Sequence, residues 1–109
     1  MKSASIQLNG TDFVTGLPSS YFGLVQPYER FTSVPNTGVF VYSFCLAPHE
    51  AQPSGTVNFS RINNATLKID ITDNFLAQDI SEYAIVNVYA ITYNVLTIKS
   101  GMAGIKYTS

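Results

Sequence analysis

The sequence contains few of the residues from which catalytic and metal sites are built. It has one cysteine, Cys45, one histidine, His49, and no tryptophan. A zinc site needs several such ligands at suitable spacing, so we expect no zinc centre and no enzyme that holds its metal through several histidines. A single cysteine cannot form an internal disulfide, so the chain does not follow the disulfide-based strategy of small secreted domains.

Charge is scarce as well, and neither sign is in excess. Six lysines and arginines stand against seven aspartates and glutamates. The basic residues are scattered and form no stripe that would neutralise phosphates, so we expect no nucleic-acid binding. Charged residues make up 12% of the chain and hydrophobic ones 46%. That balance excludes intrinsic disorder and predicts that a partner covers part of the surface.

Long apolar runs are also missing. The first residues lead into a polar strand and do not form the apolar stretch of a signal peptide, so we expect no secretory leader. The most apolar run, residues 83–98, is interrupted by Asn87, Thr92 and Asn94. It is too short and too polar to cross a bilayer, so we expect no membrane span.

The reactive side chains form no recognisable reaction centre. Cys45 and His49 are four residues apart, but we expect Cys45 in a strand and His49 in the loop that follows, with no third group to orient the imidazole. The acidic residues of the second half lack the spacing of a calcium-binding loop. These are Asp70, Asp73, Asp79 and Glu82. We therefore expect no catalytic residue, no metal site and no cofactor, and hence no enzyme.

Residues that favour β-strands are abundant. There are seven tyrosines and seven phenylalanines, and helix-length amphipathic patterns are few. The clearest alternation spans residues 65–72, where Leu67, Ile69 and Ile71 share one face of a half-buried strand. We predict an all-β fold, an antiparallel β-sandwich that is a partial jelly roll of about six strands. The predicted strands are 4–8, 38–46, 56–61, 65–72, 83–99 and 104–107.

Residues 11–35 are expected to be irregular because glycines and prolines punctuate them. Asn9-Gly10 predicts a turn just before this stretch. One helical turn is expected to begin at Ser19 or Ser20 and to stop at Gln26-Pro27, because the residue before a proline avoids the helical region. The dense aromatic residues here are expected to pack on a sheet or against a neighbouring chain.

A second group of expectations concerns residues 53–61. Pro53-Ser54-Gly55 predicts a tight turn that needs the backbone freedom of glycine. In the strand expected to follow, Phe59 should face the core while Asn58 and Ser60 face polar partners. Arg61 is expected to pair with a carboxylate, within the sheet or across a subunit contact.

These residues lie in a longer pattern, Tyr42 to Ile62, with the sequence YSFCLAPHEAQPSGTVNFSRI. It resembles the C-terminal jelly roll of the major capsid proteins of large eukaryotic (nucleocytoplasmic) DNA viruses, with phycodnavirus-like and other giant-virus proteins the most similar. Three further groups of residues fit the same family in the same order, so the resemblance covers nearly the whole chain. They are Leu8-Asn9-Gly10, then Tyr21-Phe22 with Val25-Gln26-Pro27-Tyr28, then Tyr93-Asn94-Val95-Leu96 with Ser100-Gly101-Met102-Ala103-Gly104.

The resemblance implies a structural component of an icosahedral viral capsid, either a capsomer-forming major capsid protein or a fragment of one. Such proteins carry two tandem jelly rolls per chain, three chains form a capsomer, and no catalytic residue or cofactor comes with the family. The implied location is the virion, and the host cytoplasm during assembly. Residues 1–109 would then be a single truncated C-terminal jelly-roll domain, whose partners are other capsid chains and the missing N-terminal jelly roll.

A different function class stays open on the residues alone. A β-sandwich could present its aromatic-rich loop to a carbohydrate or a host surface. Four aromatic residues discriminate between the two, namely Tyr21, Phe22, Tyr28 and Phe31. If they pack on the sheet or form a broad patch, shell packing is favoured, whereas a concave pocket with polar groups would favour binding.

Overall fold

A computed structural model describes residues 1–71 and 85–107. In this part of the chain the regular structure is mostly antiparallel strands with a few short helical turns, which confirms the predicted all-β class. The chain divides into two units, Met1–Asp79 and Ile80–Ser109. The described strands number five, where about six were predicted. They are β1 (Ser3–Leu8), β2 (Thr11–Pro18), β3 (Ala65–Asp70), β4 (Leu96–Lys99) and β5 (Met102–Ile105).

The first hairpin joins β1 and β2 through the predicted turn at Asn9-Gly10. Both residues have left-handed backbone angles, with φ of 53° and 77°. A two-residue hairpin turn of this kind favours Asn followed by Gly, because it requires positive φ at both positions. The prediction of a turn is therefore confirmed.

The strand β2 corrects the prediction that residues 11–35 are irregular throughout. The two residues that argued against a strand occupy positions that a strand tolerates. Gly16 has φ of 49° and lies where the register against β1 shifts, as in a β-bulge. Pro18 is the last residue of the strand, where its missing amide costs little.

The sheet of the first unit has the order β2-β1-β3. Because β3 pairs with β1 without a register shift, the alternation predicted for residues 65–72 is seen along the described strand. Aligned residues separate into an apolar face and a polar face. The apolar face includes the pairs Ala4–Ile69 and Ile6–Leu67, and the polar face the pairs Ser3–Asp70 and Ser5–Lys68.

The core of the first unit is small and lies on the apolar face of this sheet. Ala4, Val14 and Phe22 are buried. Partly buried side chains surround them, among them Ile6, Leu17, Tyr21 and Tyr42. Phe22 is the largest side chain of the buried three, so this core depends strongly on one residue.

Phe22 is held by a short helical segment that differs from the prediction. A π-helical turn, Tyr21–Val25, passes directly into the helix α1, Gln26–Arg30. The prediction that Gln26-Pro27 stops the helical turn is wrong. Pro27 lies in the first turn of α1, where the missing amide has no intrahelical acceptor and the fixed φ suits a helix. Ser20 precedes the segment but makes no side-chain capping bond.

One predicted strand and most of another form no ladder within the described residues. Residues 38–46 and 85–95 lie outside every described strand. Apolar alternation predicts which residues could pack together, but a strand also needs a neighbour that accepts its backbone hydrogen bonds. Residues 83 and 84, at the start of the predicted strand 83–99, lie outside the described residues, and only Leu96–Lys99 at its end is a strand.

The predicted strand 56–61 is also wrong, because residues Phe59–Arg61 form a single 3₁₀ turn. The cause is Asn58, whose Oδ1 accepts a hydrogen bond from the Ser60 amide at 3.0 Å. Asparagine side chains that bond to the backbone two residues ahead compete with strand pairing. Phe59 consequently stays about half exposed and does not face a buried core.

The second unit contains a hairpin of β4 and β5 around Ser100-Gly101. The turn residues have φ of 53° and 74°, so the predicted chain reversal is confirmed. The last strand is Met102–Ile105, two residues earlier than the predicted 104–107. Beyond the hairpin, the side-chain Nδ2 of Asn94 donates to the Tyr107 carbonyl at 2.8 Å. The Oδ1 of the same side chain accepts from the backbone amide of Tyr107 at 3.1 Å. Asn94 thus fastens together the two open ends of the hairpin.

Replacing Asn9 by alanine should destabilise the first unit. The Asn9 Oδ1 accepts hydrogen bonds from the amides of Asn63 at 2.9 Å and Asn64 at 3.3 Å, so this side chain ties the first turn to the entry of β3. Loss of these bonds and of a residue that tolerates positive φ should cost about 2 kcal/mol. Urea unfolding followed by circular dichroism measures the change. Asn9→Asp keeps both the acceptor and the tolerance, so an equal loss in the two variants would contradict this explanation.

Candidate functional site

The most extensive side-chain feature of the first unit is a chain of stacked rings, which we term the aromatic cluster. Each ring lies 5.1–6.4 Å from at least one other, most of them edge to face. Aromatic pairs at such distances contribute about 0.5–1.5 kcal/mol beyond the area they bury. The members are Phe13, Tyr21, Phe22, Tyr42, Phe44 and Phe59.

The aromatic cluster connects four separate parts of the chain. Phe13 comes from β2, Phe22 from the π-helical turn and Phe59 from the 3₁₀ turn. Tyr42 and Phe44 come from the predicted strand 38–46. Tyr42 lies 6.2 Å from Phe22 and 5.1 Å from Phe44. Side chains therefore hold residues 38–46 against the other elements of the first unit, although these residues form no ladder within the described part of the chain.

A buried amide supports the same attachment. Gln26 is almost completely buried; its Nε2 donates to the Tyr21 hydroxyl at 2.8 Å and its Oε1 accepts from the Ser43 amide at 3.4 Å. Burial raises the pKa of Tyr42, with a smaller contribution from Tyr21, while Arg30 opposes the rise. Tyr42 therefore stays uncharged at physiological pH. No pattern in the sequence marks this glutamine as buried.

The loop after residue 46 is closed by Ser54. Its Oγ accepts from the Ala47 amide at 2.8 Å, and its carbonyl accepts from the Leu46 amide at 3.4 Å. Gly55 follows with φ of 130°, a conformation that other residues rarely adopt. The prediction that this position needs glycine is confirmed, but the predicted tight turn is wrong, because residues 53–55 are irregular and form no turn.

The two side chains considered as a nucleophile and its base do not form that pair. The two ring nitrogens of His49 lie 3.3 Å from the Arg30 carbonyl and 3.4 Å from the Glu50 carboxylate. The sulfur of Cys45 lies 3.3 Å from the Ser43 hydroxyl. Since the imidazole is directed at other partners, it is not positioned to take a proton from the thiol.

In residues 1–71 and 85–107, no three His, Cys, Asp or Glu side chains lie close enough to hold a metal ion. Asp73, Asp79 and Glu82 of the predicted acidic group lie outside these residues. Arg61 is exposed and forms no ion pair with a described carboxylate, so its predicted partner stays a prediction. None of the described helices is long and apolar enough to cross a membrane.

The four aromatic residues that distinguish shell packing from carbohydrate or host-surface binding lie in different environments. Phe22 is only 4% exposed and Tyr21 packs against the buried core. Phe31 is half-buried, and Tyr28 is 84% exposed. Two of the four therefore pack on the sheet, the arrangement that favours shell packing.

Large apolar side chains are exposed over much of the described surface. In the second unit they include Ile85, Tyr89 and Ile91, each more than four-fifths exposed. Leu24 and Leu46 of the first unit are each more than half exposed. Monomeric soluble proteins rarely expose large contiguous apolar patches, and such surfaces usually mark contacts with other protein.

Nearly the whole chain matches one known protein family. Residues 1–104 match the model of the large eukaryotic DNA virus major capsid protein. The chain belongs to this family. The resemblance inferred from Tyr42 to Ile62 is thereby confirmed.

Curated members of the capsid family show the same relationship. The chain is 51% identical to the major capsid protein of Phaeocystis pouchetii virus, over 97% of its own length and 20% of that protein. It is 42% identical to the major capsid protein of Paramecium bursaria Chlorella virus 1, over 100% of its own length and 29% of that protein. The chain thus spans about a fifth to three tenths of the capsid proteins that it resembles.

A solved capsid structure agrees in three dimensions. The chain is similar to PBCV-1 VP54, with a TM-score of 0.73 and 39% identity, over 100% of this chain and 30% of VP54. VP54 was fitted into a reconstruction of the virophage Sputnik, and a chain with the same match belongs to a quasi-atomic model of the PBCV-1 capsid. The similarity to this capsid protein therefore covers the whole of this chain and less than a third of VP54.

Proposed function

We propose that this chain is a shell-building segment of a viral capsid, corresponding to the C-terminal part of a second jelly roll and acting without catalysis or cofactor. It would act in the virion, after assembly in the host cytoplasm. Its partners would be the remainder of a capsid protein and further capsid chains in a trimeric capsomer. The observation that carries the proposal is the match to a capsid subunit along the entire chain.

The arrangement of side chains supports this role in two ways. The Tyr42–Ile62 motif is used for scaffold contacts, with Ser54 closing its loop and Phe44 joining the aromatic cluster. The apolar side chains of residues 85–98 are largely exposed, as expected for a surface that other protein covers. The carbohydrate-binding alternative gains no support, because Tyr21 and Phe22 are used for packing.

A chimera tests the proposal. The segment of the Chlorella virus capsid protein that aligns with this chain would be replaced by these 109 residues. We expect the chimera to fold and to form a trimer of the same mass as the parent, because the exchanged segments share a fold and 42% of their residues. Light scattering after size-exclusion chromatography measures the mass.

The unmodified capsid protein and a chimera carrying Phe22→Ala serve as positive and negative controls. The Phe22→Ala chimera should be insoluble or monomeric, because its segment loses the central core side chain. A wild-type chimera that folds but stays monomeric would contradict the assembly role. A chimera that binds glycans in a concentration-dependent manner would favour the alternative.

A further inference from the structure

The outer edge of β3 has a pattern that is complementary to itself. Within the described residues β3 pairs only with β1 and lies at one end of the sheet. The Asn9 amide donates to the Asn64 carbonyl at 2.8 Å, and the two strands pair without a shift. Because antiparallel hydrogen bonding alternates, the even-numbered residues of β3 bond to β1, and Leu67 and Ile69 direct their backbone groups to the open edge.

The charges on this edge are equally specific. Lys68 and Asp70 follow each other on the polar face, opposite Ser5 and Ser3 of β1. The Ser3 hydroxyl donates to Asp70, which holds that carboxylate at the sheet. A lone lysine on an edge strand discourages pairing with another strand, but here a carboxylate two residues away supplies the opposite charge.

We propose that β3 is a homodimerisation edge, on which a second copy of this chain adds its own β3 in antiparallel orientation about Ile69. In this register Ile69 faces the Ile69 of the second copy, and each Lys68 faces the Asp70 of the other copy. Leu67 then faces Ile71. The result is a six-stranded sheet with two-fold symmetry, β2-β1-β3 followed by the same strands in reverse.

Two independent features select this register. Centring the pair on Lys68 or Asp70 would place like charges opposite each other, and would require backbone groups that already bond to β1. Centring on Leu67 leaves both charges without a counter-charge. Only the register about Ile69 satisfies the backbone direction and the charges together.

The proposed pairing would also bury apolar surface on the other face of the sheet. Leu67 is 47% exposed and Ile71 38% exposed, so both retain surface for a partner to cover. Facing pairs at Ile69 and at Leu67 with Ile71 would extend the apolar face across the symmetry axis. The two faces of the sheet therefore favour the same register.

The first test measures self-association of the 109-residue chain by sedimentation velocity over a concentration series. Lys68→Asp places two acidic side chains opposite each other at two symmetric positions. Since both symmetric charge pairs change from attraction to repulsion, we expect the dimer dissociation constant to rise about tenfold or more. The double variant Lys68→Asp/Asp70→Lys restores opposite charges and should restore the affinity. Lys99→Asp changes net charge equally in β4 and should leave it unchanged.

The second test does not depend on whether a variant folds. A mixture of ¹⁴N- and ¹⁵N-labelled chains is treated with a carbodiimide, which joins a lysine amine to a carboxylate in direct contact with loss of water. We expect a cross-linked peptide of mixed isotope composition that joins Lys68 to Asp70. Its absence, or a dimer that Lys68→Asp leaves unchanged, would overturn the proposal. The proposal would also be overturned if the isolated chain were monomeric and the Leu67 and Ile69 amides were protected from hydrogen exchange only in the capsid chimera. That result would mean that a strand of the capsid protein pairs with this edge.

Discussion

Replacing Phe22 by alanine should abolish the folded state of the first unit in the isolated chain. Phe22 is 4% exposed and is the largest of the three buried core side chains. It also contacts Tyr21 at 5.3 Å and Tyr42 at 6.2 Å, so its loss removes one of the ring contacts that hold residues 38–46 against the core. Truncating a buried phenylalanine typically costs about 3–5 kcal/mol, whereas a small domain has only about 5–15 kcal/mol of stability in total.

The measurement is thermal unfolding followed by circular dichroism, together with hydrogen exchange of the β1 amides. Tyr28→Ala provides a matched control, because Tyr28 is an aromatic residue of the next helical turn but is 84% exposed. That variant should unfold within about 0.5 kcal/mol of the wild type. If the two variants lose the same stability, the buried core is not the source of the stability of the unit.

The sequence predicts well those elements whose cause is local. The hairpin turns follow from Asn9-Gly10 and Ser100-Gly101, because two residues with positive φ decide such a turn. The faces of β3 follow from strict alternation in residues 65–70, since one wet face and one apolar face specify the register. The scaffold role of Gly55 is similarly visible, because its φ of 130° is a backbone requirement.

The sequence predicts poorly those elements whose structure depends on distant partners. Residues 38–46 have strong strand propensity, but no described strand accepts their hydrogen bonds. The buried environment of Gln26 also depends on residues that are distant in sequence, because its side chain bonds to the Tyr21 hydroxyl and to the Ser43 amide. The prediction of a helix break at Pro27 is wrong for a different reason. A proline is also well suited to the first turn of a helix.

A charged substitution in the second unit should have opposite effects in the isolated chain and in the capsid chimera. Residues 85–98 contain no charged side chain, and Ile91 is fully exposed. Uncharged segments rich in valine, isoleucine and tyrosine favour intermolecular strand pairing. The isolated chain should therefore be only partly soluble, and Ile91→Lys should increase its soluble fraction several-fold, because a charge within such a segment opposes stacking. Tyr28→Lys adds the same charge to an exposed residue of the first unit and should increase the soluble fraction much less.

In the capsid chimera the same Ile91→Lys substitution should be harmful. If the rest of the capsid protein covers residues 85–98, the lysine becomes buried without a partner, and an unpaired buried charge costs about 3–5 kcal/mol. We expect the midpoint of thermal unfolding to fall by roughly 10 °C or more for a domain of this size, with little change for Tyr28→Lys. The two assays, centrifugation of the isolated chain and thermal unfolding of the chimera, must change in opposite directions. A chimera that tolerates Ile91→Lys would show that this apolar segment remains exposed in the complete capsid protein, and its exposure in the isolated chain would then need another explanation.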